Sequence, residues 1–173
     1  MTEPALGDFA VVATGGWPSA VIRWVTRSKV NHAVLYIGNG YVVEGEPAGA
    51  RVTPVSNYGD KLIWANWPLT DEQRPAVAAW GKAHIGTPYS WLDDAAIGLA
   101  DLFHWVPGIL RKRLASTSTL MCSQLVDAAY AAAGVQLFPD GRPAGAVSPG
   151  DLYTLIQTRN GGTAVKKPSD WWW

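Results

Sequence analysis

The sequence predicts an α+β fold: a small antiparallel sheet packed against helices. Three observations predict it. Short runs rich in Val, Tyr and Ile, separated by turn residues, crowd the first third of the chain. The Gly38-Asn39-Gly40 triplet suits a hairpin turn, because Asn and Gly tolerate positive φ. From Thr70 onward the signals change to helix caps and helical periodicity. Helix, strands and then mostly helices is the order of an α+β domain. With 173 residues, one domain accommodates the whole chain. Its core is expected over about 7–157, with a helical insert at about 92–114 and a tail at 158–173.

The elements follow in chain order. Gly7-Asp8 turns into a first strand, Phe9-Ala10-Val11-Val12-Ala13. Ala20, Val21, Trp24 and Val25 recur near helical spacing between Pro18 and Lys29. Strands are predicted at Ala33–Ile37, Tyr41–Glu44 and Arg51–Val55, and a further one at Lys61–Trp67, ended by Pro68. Thr70 caps the next helix and Gln73 completes a capping box. That helix runs past Val77, Trp80 and His84 to a stop at Gly86. Another helical stretch follows Pro88, from Ser90 to about Phe103. The run Thr119-Leu120-Met121-Cys122-Ser123-Gln124-Leu125-Val126 opens a helix that reaches Gly134. A Gly/Pro-rich loop, Phe138–Ala146, leads to a last helix opened by Ser148-Pro149-Gly150-Asp151 and reaching about Gln157.

Composition removes several function classes. Fourteen basic residues balance fourteen acidic ones, and no Lys/Arg stripe marks a nucleic-acid surface. No apolar run approaches the roughly 18 residues needed to span a bilayer. The N-terminal residues lack the basic and apolar regions of a secretory signal. A single cysteine rules out an internal disulfide and fits a reducing compartment. A cytoplasmic location is therefore the default expectation, with export or virion association left open. His84 and His104 have no metal-type spacing with each other or with Cys122, so no metal site is expected, and no phosphate loop points to a cofactor.

Cys122 is the residue with the clearest chemistry. It follows the polar run Ser116-Thr117-Ser118-Thr119 and is expected in the first turn of its helix, where the helix dipole favours a thiolate. A lone cysteine is often core filler, so a base is needed to make it a nucleophile. His32 opens a predicted core strand, and a histidine on a rigid strand is a suitable base. Glu44 lies twelve residues on, across the Gly38-Asn39-Gly40 turn. With a symmetric turn, position 32 lies opposite position 46, which makes Glu44 a diagonal neighbour of His32 on the same face. A carboxylate there orients the imidazole and stabilises its charged form. Spacing alone leaves Glu46 as a rival orienter.

These pieces together resemble the permuted NlpC/P60 cysteine hydrolases. Those are papain-like proteins in which the histidine strand precedes the cysteine helix, and the lecithin:retinol acyltransferase branch shares that order. The likeness rests on Gly7-Asp8, Asn31-His32-Ala33-Val34-Leu35-Tyr36-Ile37-Gly38, Val42-Val43-Glu44, Met121-Cys122-Ser123-Gln124-Leu125-Val126 and Ser148-Pro149-Gly150-Asp151-Leu152. It covers roughly Gly7 to Gln157 in ordered pieces. The resemblance implies a Cys122–His32–Glu44 triad that hydrolyses an amide bond of a peptide or peptidoglycan stem peptide through a thioester. Gly86-Thr87-Pro88-Tyr89-Ser90 is similar to the family's Gly-x-x-Tyr segment. Tyr89 and Ser123 are then expected on the substrate and oxyanion side, with the Cys122 backbone N–H as a further donor.

One departure bears on substrate. The connection from Tyr89 to Cys122 is longer than in unpermuted members. Its insert carries Ile97, Leu99, Leu102, Phe103, Trp105 and Val106, followed by Arg111-Lys112-Arg113. Such a segment covers the core, or serves as a lid or a peripheral contact with an anionic membrane surface. In the second case an acyl lipid is the competing substrate, and an acyltransferase or thioesterase the competing activity. A binding module that keeps the fold without the chemistry is the third reading.

Overall fold

A computed structural model describes residues 4–15, 29–46, 49–86, 118–142 and 147–159. Strands β1 (Phe9–Val12), β2 (His32–Gly38), β3 (Tyr41–Glu46), β4 (Gly49–Pro54) and β5 (Ile63–Trp64) form one antiparallel sheet in the order β4-β3-β2-β1-β5. A 3₁₀ turn, Val55–Tyr58, follows β4. The α-helices are α1 (Gln73–Ala83), α2 (Ser118–Ala132) and α3 (Pro149–Arg159). An α+β fold with a small antiparallel sheet is thus what the described residues form. The expected helices at Pro18–Lys29 and Ser90–Phe103, the 92–114 insert, Tyr89, His104 and the Trp171-Trp172-Trp173 end lie outside the described residues, wholly or nearly so.

The alternation of β2 divides the core. Ala33, Leu35 and Ile37 join Val43 and Phe9 in the cluster that α2 and α3 cover through Leu125, Val126, Ala129, Leu152 and Ile156. Val34 faces the other way, with Ala10, Val12, Val42 and Leu62. This is the period-two pattern of a strand buried on both faces. The β2–β3 turn places Asn39 at φ 54, flanked by Gly38 and Gly40 at φ 94 and 79, as the triplet predicts. Helix α1 approaches β2 closely at Gly81, where an added Cβ would lie 2.7 Å from Leu35 Cδ2.

Side-chain caps set the helix boundaries. The Thr70 N–H donates to Gln73 Oε1 at 3.0 Å and the Gln73 N–H donates to Thr70 Oγ1 at 3.2 Å, the predicted capping box. Ser148 and Asp151 make the same reciprocal pair at the start of α3. Beyond the end of α2, Gly134 at φ 75 turns the chain and the Val135 N–H reaches back to the Tyr130 carbonyl at 2.9 Å. Gly7, at φ 81, brings its carbonyl within 2.9 Å of the Tyr130 hydroxyl, which donates to it.

Among the boundaries that differ from expectation, two differ most. The strand predicted over Lys61–Trp67 shrinks to Ile63–Trp64. Positive φ at Asn66 (47°) turns the backbone out of extended geometry, and the Trp67 N–H leaves the sheet to donate to Asp8 Oδ1. Helix α2 begins at Ser118, so Cys122 is its fifth residue and belongs to the second turn, not the first. Ser and Thr are favoured at helix starts but also in loops, which is why composition misplaces this boundary.

Candidate active site

The site is assembled where β2 begins. The Asn31 N–H donates to the Val12 carbonyl at 3.2 Å. Its side chain accepts from the Thr14 N–H at 2.8 Å and donates to Thr14 Oγ1 at 2.6 Å. These bonds fix the backbone just before His32, which is itself 8% exposed. The next residue, Ala33, donates its N–H to Cys122 Sγ at 3.3 Å. A strand start and the second turn of α2 thereby bring the ring and the sulfur together, close enough for the sulfur to act on the charge of the ring.

The β2–β3 register pairs Val34 with Glu44 and Leu35 with Val43. Extended by two residues, it makes Glu44 the diagonal neighbour of His32, as the hairpin arithmetic predicts. Glu44 Oε2 is hydrogen-bonded to His32 Nε2. A ring nitrogen takes one in-plane partner, so Nδ1 is left for the sulfur. Of the two orienters that spacing allows, Glu44 is in contact with His32. Glu46 closes β3, its backbone paired with Gly49.

Glu44 is buried to 2% exposure and accepts four hydrogen bonds. Oε1 takes Arg51 Nε at 2.9 Å and the Thr53 hydroxyl. Oε2 takes His32 Nε2 and the Tyr58 hydroxyl. Sequence reasoning missed Arg51, Thr53 and Tyr58. The register could have found two of them: Arg51 lies opposite Glu44 in the β3–β4 ladder, and Thr53 is diagonal to it. Tyr58 comes from the 3₁₀ turn and carries no such signal.

Charge follows from these contacts. Burial alone would pull the His32 imidazolium down. The charge and hydrogen bond of Cys122, joined by Glu44, outweigh burial and raise its pKa to about 10. Burial would raise Glu44, but hydrogen bonds from His32, Thr53 and Tyr58 outweigh it and hold the carboxyl at about 2. Burial and the neighbouring carboxylate push the Tyr58 phenol far up, which keeps it a proton donor.

A cavity of about 290 Å³ opens onto this cluster, lined by Thr14, His32, Glu44, Arg51, Thr53, Asn57 and Tyr58. Cys122 has no exposed surface and is not part of that lining. His32 is therefore the residue that faces both the cavity and the sulfur.

Two expected contributors fall differently. The amide of a fifth helical residue lies within the i→i−4 ladder, so the Cys122 N–H is not an unpaired donor for an oxyanion. The Ser123 hydroxyl donates to the buried Val147 carbonyl at 2.6 Å, tying α2 to the start of α3 instead of facing substrate. Successive helical residues point about 100° apart, which separates Ser123 from the cysteine beside it. His84 caps the end of α1, its Nδ1 2.8 Å from the Trp80 carbonyl and its ring stacked on Trp80 at 3.7 Å. Among the described residues, no three His, Cys, Asp or Glu gather as metal ligands, and no helix is long and apolar enough to cross a membrane.

No family model matches the chain. No solved structure matches it either. Among curated proteins, it is similar to an oligo-1,6-glucosidase of Bacillus sp. (strain F5), 27% identical over 107 residues. That match takes in 56% of this chain and 21% of the relative, so it spans about a fifth of that protein's length.

Proposed function

We propose that this chain is a thiol-dependent hydrolase of the permuted NlpC/P60, papain-like kind, cleaving an amide bond of a peptide or peptidoglycan stem peptide. One observation carries the reading: Cys122 and His32, far apart in sequence, come together where β2 begins, with the Ala33 N–H on the Cys122 sulfur and Glu44 on Nε2 of the His32 ring. The histidine strand precedes the cysteine helix, the order of the permuted family.

Cys122 Sγ attacks the carbonyl carbon and the carbonyl π electrons move to oxygen. The tetrahedral intermediate collapses as the His32 imidazolium gives its proton to the leaving nitrogen, which leaves a thioester. Neutral His32 then takes a proton from water as the water attacks the thioester, and Cys122 leaves as thiolate. Glu44 keeps the ring in the orientation that both steps need. The oxyanion requires a donor other than the Cys122 N–H, and Tyr89 is the residue that the family likeness proposes. Cys122 is buried, and of the pair it is His32 that reaches the cavity.

The likeness to a glucosidase does not alter this reading. Glycoside hydrolysis generally uses two carboxyl groups about 5–9.5 Å apart across the scissile bond. Among the residues lining the cavity, Glu44 is the single carboxylate, and all its acceptor positions are taken.

The test is a trapped intermediate. Incubation with muropeptides, followed by intact-mass analysis after acid quenching, is expected to show a peptidyl adduct on Cys122, absent from Cys122→Ser. A fatty-acyl adduct from lipid substrates would move the assignment to an acyltransferase or thioesterase. Wild-type hydrolysis by purified Cys122→Ser would end the thiol mechanism altogether.

A further inference from the structure

We infer that Thr53 and Tyr58 are positioning residues of this site: their hydroxyls clamp one oxygen each of the Glu44 carboxylate and so hold His32 in a single orientation. The catalytic meaning of that orientation rests on the thiol-hydrolase reading, whereas the clamp is a matter of geometry.

The terminal torsion of a glutamate is soft and broadly two-fold, so the direction of its oxygens is set by their partners. Here every partner is assigned. His32 comes from β2, Arg51 and Thr53 from β4, and Tyr58 from the 3₁₀ turn that follows. The Cys122 sulfur, from α2, acts on the same imidazole. Among the described residues, a segment of eight, 51–58, therefore supplies every hydrogen bond to the Glu44 carboxylate other than that of His32.

The three contacts in that segment are unequal. The Arg51 side chain is 56% exposed, and an ion pair reaching into solvent is a weak anchor. Thr53 is 6% exposed and Tyr58 is half-buried. Their hydroxyls make charge-assisted bonds inside the protein, where such bonds are stronger. The Tyr58 bond also shares Oε2 with His32 Nε2, so it fixes the very oxygen that orients the ring. Without these donors the carboxylate can rotate, and the His32 bond is no longer held.

The experiment is a ¹⁵N-histidine NMR titration of the full chain, with His32 assigned by His32→Gln and His84 as internal control. In Thr53→Val and Tyr58→Phe, proton binding by His32 is expected to weaken several-fold, and in the double variant by about tenfold or more. Thr53→Ser, which keeps the hydroxyl, is expected to retain the wild-type titration. A folded double variant that titrates like wild type overturns the inference. Should the double variant fail to fold, identical titrations for Thr53→Ser and Thr53→Val overturn it equally. The readout involves no turnover and leaves Cys122 in place. A negative result here therefore leaves the Cys122→Ser test standing, and failure of that test leaves the clamp standing.

Discussion

The Ala33 amide and the Cys122 sulfur meet at 3.3 Å, joining positions 89 residues apart. Because Ala33 follows His32, this bond ties the sulfur to the same strand start that carries the ring. The chemical consequence is measurable without knowing a substrate. A base beside a cysteine activates it as a nucleophile. Alkylation by iodoacetamide at pH 7 is therefore expected to slow about tenfold or more in His32→Ala. Equal rates in wild type and variant would separate the sulfur from the ring in function.

Glu44 should matter for stability as well as orientation. Glu44→Gln keeps the size but removes the charge, and its NH₂ group points a donor at partners that are themselves donors. Removing one member of a buried charge pair typically costs about 3–5 kcal/mol. For a chain of this length each kcal/mol lowers Tm by about 2–4 °C, so thermal unfolding should shift down by about 6 °C or more. A shift under about 2 °C would mean that the carboxylate is not held as tightly as its four contacts imply.

Much of this site was legible in the sequence, for a reason that particular residues make clear. The even separation of His32 and Glu44 across a glycine-flanked turn fixes their relative face, and the observed register agrees. The Thr70–Gln73 box was legible because capping is local chemistry. Arg51 and Thr53 were missed because their register depends on a second hairpin that carries no such turn signal. Tyr58 was missed because it arrives from an irregular turn. Ser123 was misread because the motif gives its neighbour in sequence, not the carbonyl of Val147 that its hydroxyl meets in space.

That last contact yields a prediction of its own. Ser123→Ala leaves the buried Val147 carbonyl without its hydroxyl donor, a loss of about 1–3 kcal/mol. Urea unfolding should register it, while Cys122 alkylation keeps its wild-type rate under native conditions. A variant of unchanged stability that loses thiol reactivity would return Ser123 to the substrate side.

Gly81 tests how closely α1 must approach the sheet beneath the site. Helix propensity favours Gly81→Ala by about 0.8–1 kcal/mol. The new Cβ, however, would lie 2.7 Å from Leu35 Cδ2. Overpacking of a core costs about 1–3 kcal/mol, so the clash should win and the variant should be less stable by up to about 2 kcal/mol. A stabilised Gly81→Ala, seen as a higher urea midpoint, would show that Leu35 yields easily.

His32 and Glu44 set opposite limits on stability. His32 binds its proton more tightly in the folded protein, from the ordinary 6.5 up to about 10. Its contribution is complete below about pH 6.5, where both states are protonated, and is lost as pH rises toward 10. Glu44 moves the other way, from 4.5 down to about 2. Its contribution is complete above about pH 4.5 and is lost as pH falls toward 2. The two overlap between pH 4.5 and 6.5, where the site contributes most. Urea midpoints measured from pH 4 to 10 should show wild type losing its advantage over His32→Asn steadily above pH 6.5. If the difference between the two proteins is flat across that range, the imidazolium at this site is not stabilised by its neighbours.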